Sequence, residues 1–301
     1  MGTQRISEYI IDQELTNQNA GYSLWGFCEK EGGDQEYFIK QFLSPKYPDD
    51  SSPLSAKLKE KKQKKCEEFF SNRDRFYKTL LRDCRTGNIV VIHDFFRFNE
   101  SYFAVTDKVD DAQTDVHFIS EMDEEKKRMF IASLVYSIAK LHEKGIVHAD
   151  LKPDNILLKK TKKDSYAPKI IDFDGSFFVN EAGNVTGDQV YLSPEFARRM
   201  HGEDDTLTEK LDIFSLGILI HQYWTGELPV FDKEKYTYIH EAVLDGSPVV
   251  LSSKLPPEVR EPIRKMLSRN PEQRPSAAEI HKIFLSKDLT REKSVPELKD
   301  I

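Results

Sequence analysis

The stretch GIVHADLKPDNILL, Gly145 to Leu158, sets two acids, a lysine and an amide at fixed offsets: Asp150, Lys152, Asp154 and Asn155. Seventeen residues beyond Asn155, the run KIIDFDG delivers a further acid, Asp172, from an apolar strand-like segment. Far upstream, an apolar triplet in YFIK ends on Lys40. Phosphoryl transfer from a nucleotide needs residues of these types. A carboxylate must lie near the attacking hydroxyl. An acid and an amide oxygen must hold the metal ions that neutralise the phosphates, and a lysine must anchor those phosphates. Three polar loop residues with no shared task are the bland alternative, and the joint spacing of Asp150, Asn155 and Asp172 argues against it.

The elements that would position these groups follow from local pattern. YSLWGFCEK and QEYFIKQFL are rich in aromatic and β-branched residues and read as strands, with EGGD between them as a hairpin turn. SPKYPDDSSPLS is a loop by its prolines and serines. AKLKEKKQKKCEEFFSNRDRFYKTLLRDC reads as one long helix. Phe69, Arg73, Phe76 and Leu80 share one stripe, and Glu67, Phe70, Asp74, Tyr77 and Leu81 the next. NIVVIHDFFRF and SYFAVTDKV form a second strand pair. The remainder is mostly helical: EEKKRMFIASLVYSIAKLHEKG, LTEKLDIFSLGILIHQYWTG, PPEVREPIRKMLSR and SAAEIHKIFL, the first two closing on glycine. Sheet first and helices after is an α+β order. The polar tail SKDLTREKSVPELKDI, 286–301, lies outside the domain.

Composition narrows the class. The chain has 301 residues, 32% of them charged, and a net charge of −7, which disfavours a dedicated nucleic-acid binder. Cys28, Cys66 and Cys84 form no CxxC pair and read as free thiols of a reducing compartment. The first residues carry no basic segment followed by an apolar core, and Ile6 stands where a myristoylation signal needs Ser or Thr. The longest apolar run, LDIFSLGILI, contains Asp212 and is too short to span a bilayer. A cytoplasmic protein with no membrane segment is the expectation. The run Lys57 to Lys65 reads as a solvated helix face before it reads as a docking patch.

HADLKPDN is similar to the catalytic loop of protein kinases, written H-R-D-L-x-x-x-N, and Asp150 and Asn155 keep its spacing. KIIDFDG resembles the D-F-G turn, YLSPE resembles A-P-E with Glu195, and Lys40 resembles the strand lysine that pairs the phosphates. With Asp212 in DIFSLG and Arg274 in RNPEQRPS, these motifs run in the expected order from about Tyr9 to Leu285. The chain thus resembles a eukaryotic-type Ser/Thr protein kinase. The resemblance implies a two-lobed fold over residues 1–285, with a small β-rich lobe to about 107 and a mostly helical lobe from about 110. It also implies that ATP, with Mg2+ or Mn2+, is the cofactor and a protein the substrate.

The resemblance also assigns roles. Asp150 and Lys152 are catalytic, and Asn155 and Asp172 hold metal. Lys40, Ala20, Gly21, Ser23, Thr106, Asp107, Val109 and Leu157 surround the nucleotide, in a cleft with Thr106 at its back and Leu157 as its floor. Asp212 would brace the catalytic loop backbone, Arg274 would pair with Glu195, and His148 would bond backbone. Either Glu67 or Asp74 would pair with Lys40. Four positions depart from the family pattern. Ala149 replaces the arginine that gathers an activation-segment phosphate, so activity without such priming is expected. Asp174 stands where glycine is usual and should tolerate its positive φ. NQNAGYSLW keeps one glycine of three, Trp25 takes the position usually held by Val, and Phe38 that of the small residue before Lys40, so that both would crowd the adenine roof. Asp188 replaces a threonine and is expected to repel Asp150 or bind Lys152. A pseudokinase scaffold is the rival reading. A small-molecule phosphotransferase is a second rival, disfavoured by the SPE segment, Asp212 and Arg274.

Overall fold

A computed structural model describes residues 4–18, 23–49, 51–84, 86–110, 113–161, 165–179, 181 and 187–285. The chain divides into two compact units, Met1–Arg85 with Val90–Asp110, and Thr86–Ile89 with Asp111–Ile301. The first is sheet-based with one helix, the second mainly helical, as the α+β reading expected.

In the first unit, strands β1 (Gln4–Ile6), β2 (Tyr9–Ile11), β3 (Ser23–Lys30), β4 (Glu36–Phe42), β5 (Ile92–Phe98) and β6 (Ser101–Asp107) form one antiparallel sheet in the order β1-β2-β3-β4-β6-β5. Side chains alternate between its faces. One face buries Ile39, Cys28, Phe103 and Val105 against Ile6, Tyr9 and Ile11. The other carries Phe38, Lys40 and Phe42, and helix α1 (Ala56–Asp83) packs on its Phe42 end. There Phe69 meets Phe42 at 5.5 Å between ring centroids, and Phe70 and Tyr77 each meet Phe95 at 5.2 Å. The buried seam of α1 runs between the two sequence stripes. It takes Phe76 and Leu80 from one, Tyr77 from the other, and Cys66 from neither. Lys57, Lys61, Lys62, Lys64 and Lys65 are exposed, the solvated face expected of that run. The strand expected over NIVVIHDFFRF starts later, at Ile92. Asn88 and Ile89 belong to the second unit, where Asn88 O accepts from Ile170 N at 2.7 Å and Asn88 Nδ2 donates to Ser137 Oγ at 3.2 Å. An apolar NIV run reads as strand whichever unit takes it.

The second unit is built on α3 (Glu124–Glu143) and α5 (Lys210–Thr225), with α4 (Pro194–Met200), α7 (Pro257–Met266) and α8 (Ala277–Leu285) around them. Two short antiparallel pairs, β7 (Ile146–Val147) with β10 (Phe177–Phe178) and β8 (Ile156–Lys160) with β9 (Tyr166–Ile170), present loops to the candidate site. Helices α2 (Val116–Glu121) and α6 (Ile239–Leu244), six residues each, are too short to show helical periodicity in sequence. Helix α5 is buried almost throughout and ends at Gly226 in the left-handed region, φ +79. A Cβ there would lie 3.1 Å from Ser120 Oγ. Gly226→Ala is therefore expected to cost about 1–2 kcal/mol, read as a lowered midpoint in thermal unfolding. An unchanged midpoint would contradict the strain. Among the described residues no helix is long and apolar enough to cross a membrane, and all three cysteines are free and buried.

Candidate active site

The loop after β7 is held from beneath by one carboxylate. Asp212, in the first turn of α5 and fully buried, accepts from His148 N at 2.8 Å through Oδ2 and from Ala149 N at 2.9 Å through Oδ1. His142 Nε2 adds a third contact to Oδ2 at 3.0 Å. This grip offsets a strained backbone, since Ala149 sits at φ +67, which costs a non-glycine residue about 1–2 kcal/mol. Asp212 thus braces the loop as expected. The contribution of His142 has no signal in the sequence, because nothing in LHEKGIVH marks it as a partner of a residue seventy positions on. His148 is buried. Its Nε2 faces Ile171 O at 3.2 Å and its ring lies 4.9 Å from that of Phe173, so it packs and bonds backbone.

Asp150 is then held at both oxygens. Asn155 Nδ2 donates to Oδ2 and to the Asp150 carbonyl, each at 2.8 Å, and Lys152 Nζ lies 3.1 Å from Oδ2. Oδ1 accepts from the Asp188 backbone N–H at 3.2 Å. The Lys152 ammonium sits above its usual range. Burial alone would lower it, but the charge and hydrogen bond of Asp150, with the charges of Asp188 and Asp172, outweigh that. Because its folded pKa is raised, Lys152 stays protonated below its ordinary value and through any neutral assay range. The alkaline limb of a pH–rate profile below about 10 should therefore not move in Lys152→Arg. A limb that shifts upward in that variant would mean Lys152 titrates there.

Asn155 sits on a 3-10 turn, Pro153–Asn155, leading into β8. With both amide hydrogens directed at Asp150, its Oδ1 is the atom left to face a cation. β9 pairs with β8, and Ile171 N donates to Asn155 O at 3.0 Å, which brings Asp172 next to Asn155 along the ladder. An acid and an amide oxygen beside a lysine suit a hard, oxygen-seeking divalent cation and its phosphates, so this cluster of the second unit fits the metal and phosphate groups that the sequence implies.

Two expectations change. The left-handed residue of the DFDG turn is Asp172, φ +59, and Asp174 is not among the positive-φ residues. Asp174 therefore bears no glycine-like strain. Asp188 acts on Lys152 through its charge and makes no hydrogen bond to it. Its Oδ1 turns onto its own loop to accept from Val190 N at 2.9 Å, and it meets Asp150 through its backbone N–H. Asp tolerates the threonine position because a main-chain donor does the contacting.

Ala149 belongs to an apolar cluster with Val147, Phe177, Leu192, Phe196, Ala197, Leu207 and Leu211. Gly187 is packed into it. A Cβ there would lie 2.9 Å from Leu192 Cδ1 and 3.3 Å from Ala149 O. Ser176, a candidate for modification by sequence, is buried and donates to His148 O at 2.9 Å. Thr186 lies outside the described residues.

The other candidate residues lie on the first unit, except Leu157, half-buried on β8. Lys40 is on β4, directly across from Trp25 on β3 and Ala104 on β6. Ser23 opens β3 and is buried; Ala20 and Gly21 lie outside the described residues. Thr106 donates through Oγ1 to Asp107 O at 3.3 Å, Asp107 Oδ1 meets His93 Nε2 at 2.6 Å, and Val109 is half-buried. Of the two acids considered for Lys40, Asp74 accepts from Lys78 Nζ at 2.6 Å and Glu67 is exposed, lining a groove with Tyr47, Phe70 and Arg97. Trp25 and Phe38 stack, centroids 5.6 Å apart and planes 23° apart. Within the first unit, two large rings stacked beside the lysine do not fit a nucleobase as they stand.

Residues 52–284 match the protein kinase domain family. The match begins after β4, leaving out the glycine-poor loop and Lys40. Human serine/threonine-protein kinase ULK1 is 29% identical over 160 residues, 50% of this chain and 15% of that protein. The Drosophila melanogaster serine/threonine-protein kinase PAK mbt is 29% identical over 209 residues, 67% of this chain and 31% of that one. A Caenorhabditis elegans calcium/calmodulin-dependent protein kinase type II is 30% identical over 215 residues, 68% and 28%. The alignments thus span less than a third of the length of these relatives. Among solved structures, the Cydia pomonella granulovirus kinase PK-1 superposes with a TM-score of 0.66 over 92% of this chain and 95% of that one, at 21% identity, which speaks to the fold.

Proposed function

The chain belongs to the protein kinase family, and from that premise we propose that it is a Mg-ATP-dependent serine/threonine protein kinase, its kinase domain being residues 1–285 and its tail 286–301. The observation that carries this reading is the Asp150 carboxylate, held at one oxygen by Asn155 and Lys152 and at the other by the Asp188 N–H. So fixed, it orients a substrate hydroxyl and accepts its proton as charge develops. Lys152, charged throughout the neutral range, offsets the charge on the transferring group. Asn155 Oδ1 and the Asp172 carboxylate are the metal ligands, and Lys40 is the phosphate anchor. Bound MgATP supplies the phosphoryl group and the cation that neutralises it. Catalysis is then chiefly positioning and electrostatics. The apolar packing about Ala149 and Gly187 supports activity without activation-segment phosphorylation. The three free buried cysteines support a cytoplasmic setting.

A nucleotide-poor scaffold is the second reading, and the Trp25–Phe38 stack favours it. The test is incubation of the purified protein with labelled ATP and Mg2+ or Mn2+, with and without generic protein substrates, beside Asp172→Asn. Transfer that is lost in the variant supports the kinase. Absence of both transfer and nucleotide-induced thermal shift would leave the scaffold.

A further inference from the structure

On the sheet face that carries Lys40, cross-strand partners form a grid of three rows: Ser23–Phe42–Tyr102, Trp25–Lys40–Ala104 and Phe27–Phe38–Thr106. Rows two residues apart along a strand are separated by about 6.8 Å. A nucleotide anchored by its phosphates at Lys40 and running toward Thr106 must lay its base over the last two rows. Those rows hold three large rings. Trp25 and Phe38 are stacked at 5.6 Å, and Phe27 meets both edge-on, at 5.8 and 6.2 Å. A base inserted between two parallel rings needs them about 7 Å apart, twice the carbon–carbon contact distance, so the stack admits none. The members differ in how they are held. Trp25 Nε1 donates to Gln18 O at 2.8 Å, and its backbone exchanges hydrogen bonds with Thr16 at 2.8 and 2.9 Å. Phe38 has no polar atom on its side chain to tie it and is half-buried, so it is the ring that can swing out.

We propose that Phe38 is a plug in the base position: it occupies the site by stacking on Trp25, the nucleotide binds only when Phe38 rotates away, and the uncovered face of Trp25 then stacks on the base. The proposal rests on the nucleotide-site reading above and adds a residue that sets affinity. It also reconciles the two readings of this chain, since a full set of phosphate-handling groups stands beside a base position filled by its own side chain.

Calorimetric titration with MgADP, which requires no turnover, tests it. Phe38→Ala is expected to bind at least tenfold more tightly than wild type, about 1.4 kcal/mol, the order of the two ring contacts that opening the plug gives up. Phe38→Val gives a second, β-compatible variant, and Phe38→Trp should remain as weak as wild type. Adding Lys40→Ala to Phe38→Ala should abolish the gain. Equal affinity of wild type and both small variants would overturn the plug, and weaker binding by them would show the rings to be a platform instead. No binding by any of these proteins at millimolar nucleotide would overturn the nucleotide-site reading itself, an outcome distinct from equal binding.

Discussion

Asp150→Asn is expected to lower the rate of phosphoryl transfer by about a thousandfold, within the range for loss of a positioned general base, while the affinity for MgADP stays within about twofold of wild type. The separation follows from what Asp150 touches. Its two oxygens receive donors from three residues: Lys152 Nζ, Asn155 Nδ2 and the Asp188 N–H. A carboxylate accepts at both oxygens, whereas an amide accepts at one and donates at the other. The variant must therefore aim an NH2 group at an existing donor, and the site loses its negative charge together with its fixed geometry. The nucleotide is assigned to other residues, Lys40, Asn155 and Asp172, and is not held by Asp150. Single-turnover transfer and calorimetric binding measured on the same preparation separate the two effects. A rate within tenfold of wild type would remove Asp150 from the chemistry, and a parallel loss of binding would mean that its role is architectural. Asp154→Asn, two residues from Lys152 but exposed, should leave the rate close to wild type.

Arg274→Ala is expected to lower stability by about 3–5 kcal/mol, the usual consequence of breaking a buried ion pair from one side, and the unfolding midpoint by roughly 10 °C for a unit of this size. Arg274 is fully buried and bidentate to Glu195, Nη1 to Oε1 at 2.7 Å and Nη2 to Oε2 at 2.8 Å. It also donates to Lys210 O and Ser268 O, each at 2.9 Å, and its guanidinium lies 5.0 Å from the centre of the Phe214 ring. Truncation leaves a buried carboxylate without its counter-charge, removes one donor from each of two carbonyls, and opens a cavity. Because the cost lies mainly in the stranded charge, Glu195→Gln combined with Arg274→Met should recover more than half of the loss. Thermal unfolding of the single and double variants decides it. A single variant melting within about 2 °C of wild type, against the shift expected from breaking the pair, or a double variant worse than the single, would contradict this account. Since Arg274 ties the start of α4 to the segment before α8, the variant should also lose transfer activity at temperatures where it remains folded by circular dichroism.

Local pattern carried far in this chain. The long helix α1, the strand pair around EGGD, and the glycine stops after α3 and α5 were legible because each is decided within one or two turns of backbone. The set Asp150, Asn155 and Asp172 was legible for another reason, since chemistry demands particular residue types at offsets that a loop and a hairpin impose. What was not legible depended on partners distant in sequence. The NIV run is apolar enough for a strand in either unit, and only packing sends Asn88 to Ser137. Helices α2 and α6 lack the length for a period. Asp188 looked like a misplaced charge because a sequence displays side chains and hides the N–H that makes the contact. Asp174 looked strained because the family's glycine stands there, yet the backbone places its left-handed residue two positions earlier, at Asp172.

The order of motifs from Lys40 to Arg274, the α+β class and the candidate chemistry were determined by the sequence alone, because they rest on residue type, spacing and hydrophobic period. Tertiary structure decided the state of each group. It put Asp212 beneath Ala149, packed Ala149 among Phe177, Leu192 and Phe196, set the Asp188 carboxylate on Val190 N, and stacked Phe38 on Trp25 beside Lys40. The physical reason is the same in each case. Hydrogen bonding, close packing and ring stacking act over a few ångströms, mostly between residues more than ten positions apart in the chain, and folding alone brings them within that range.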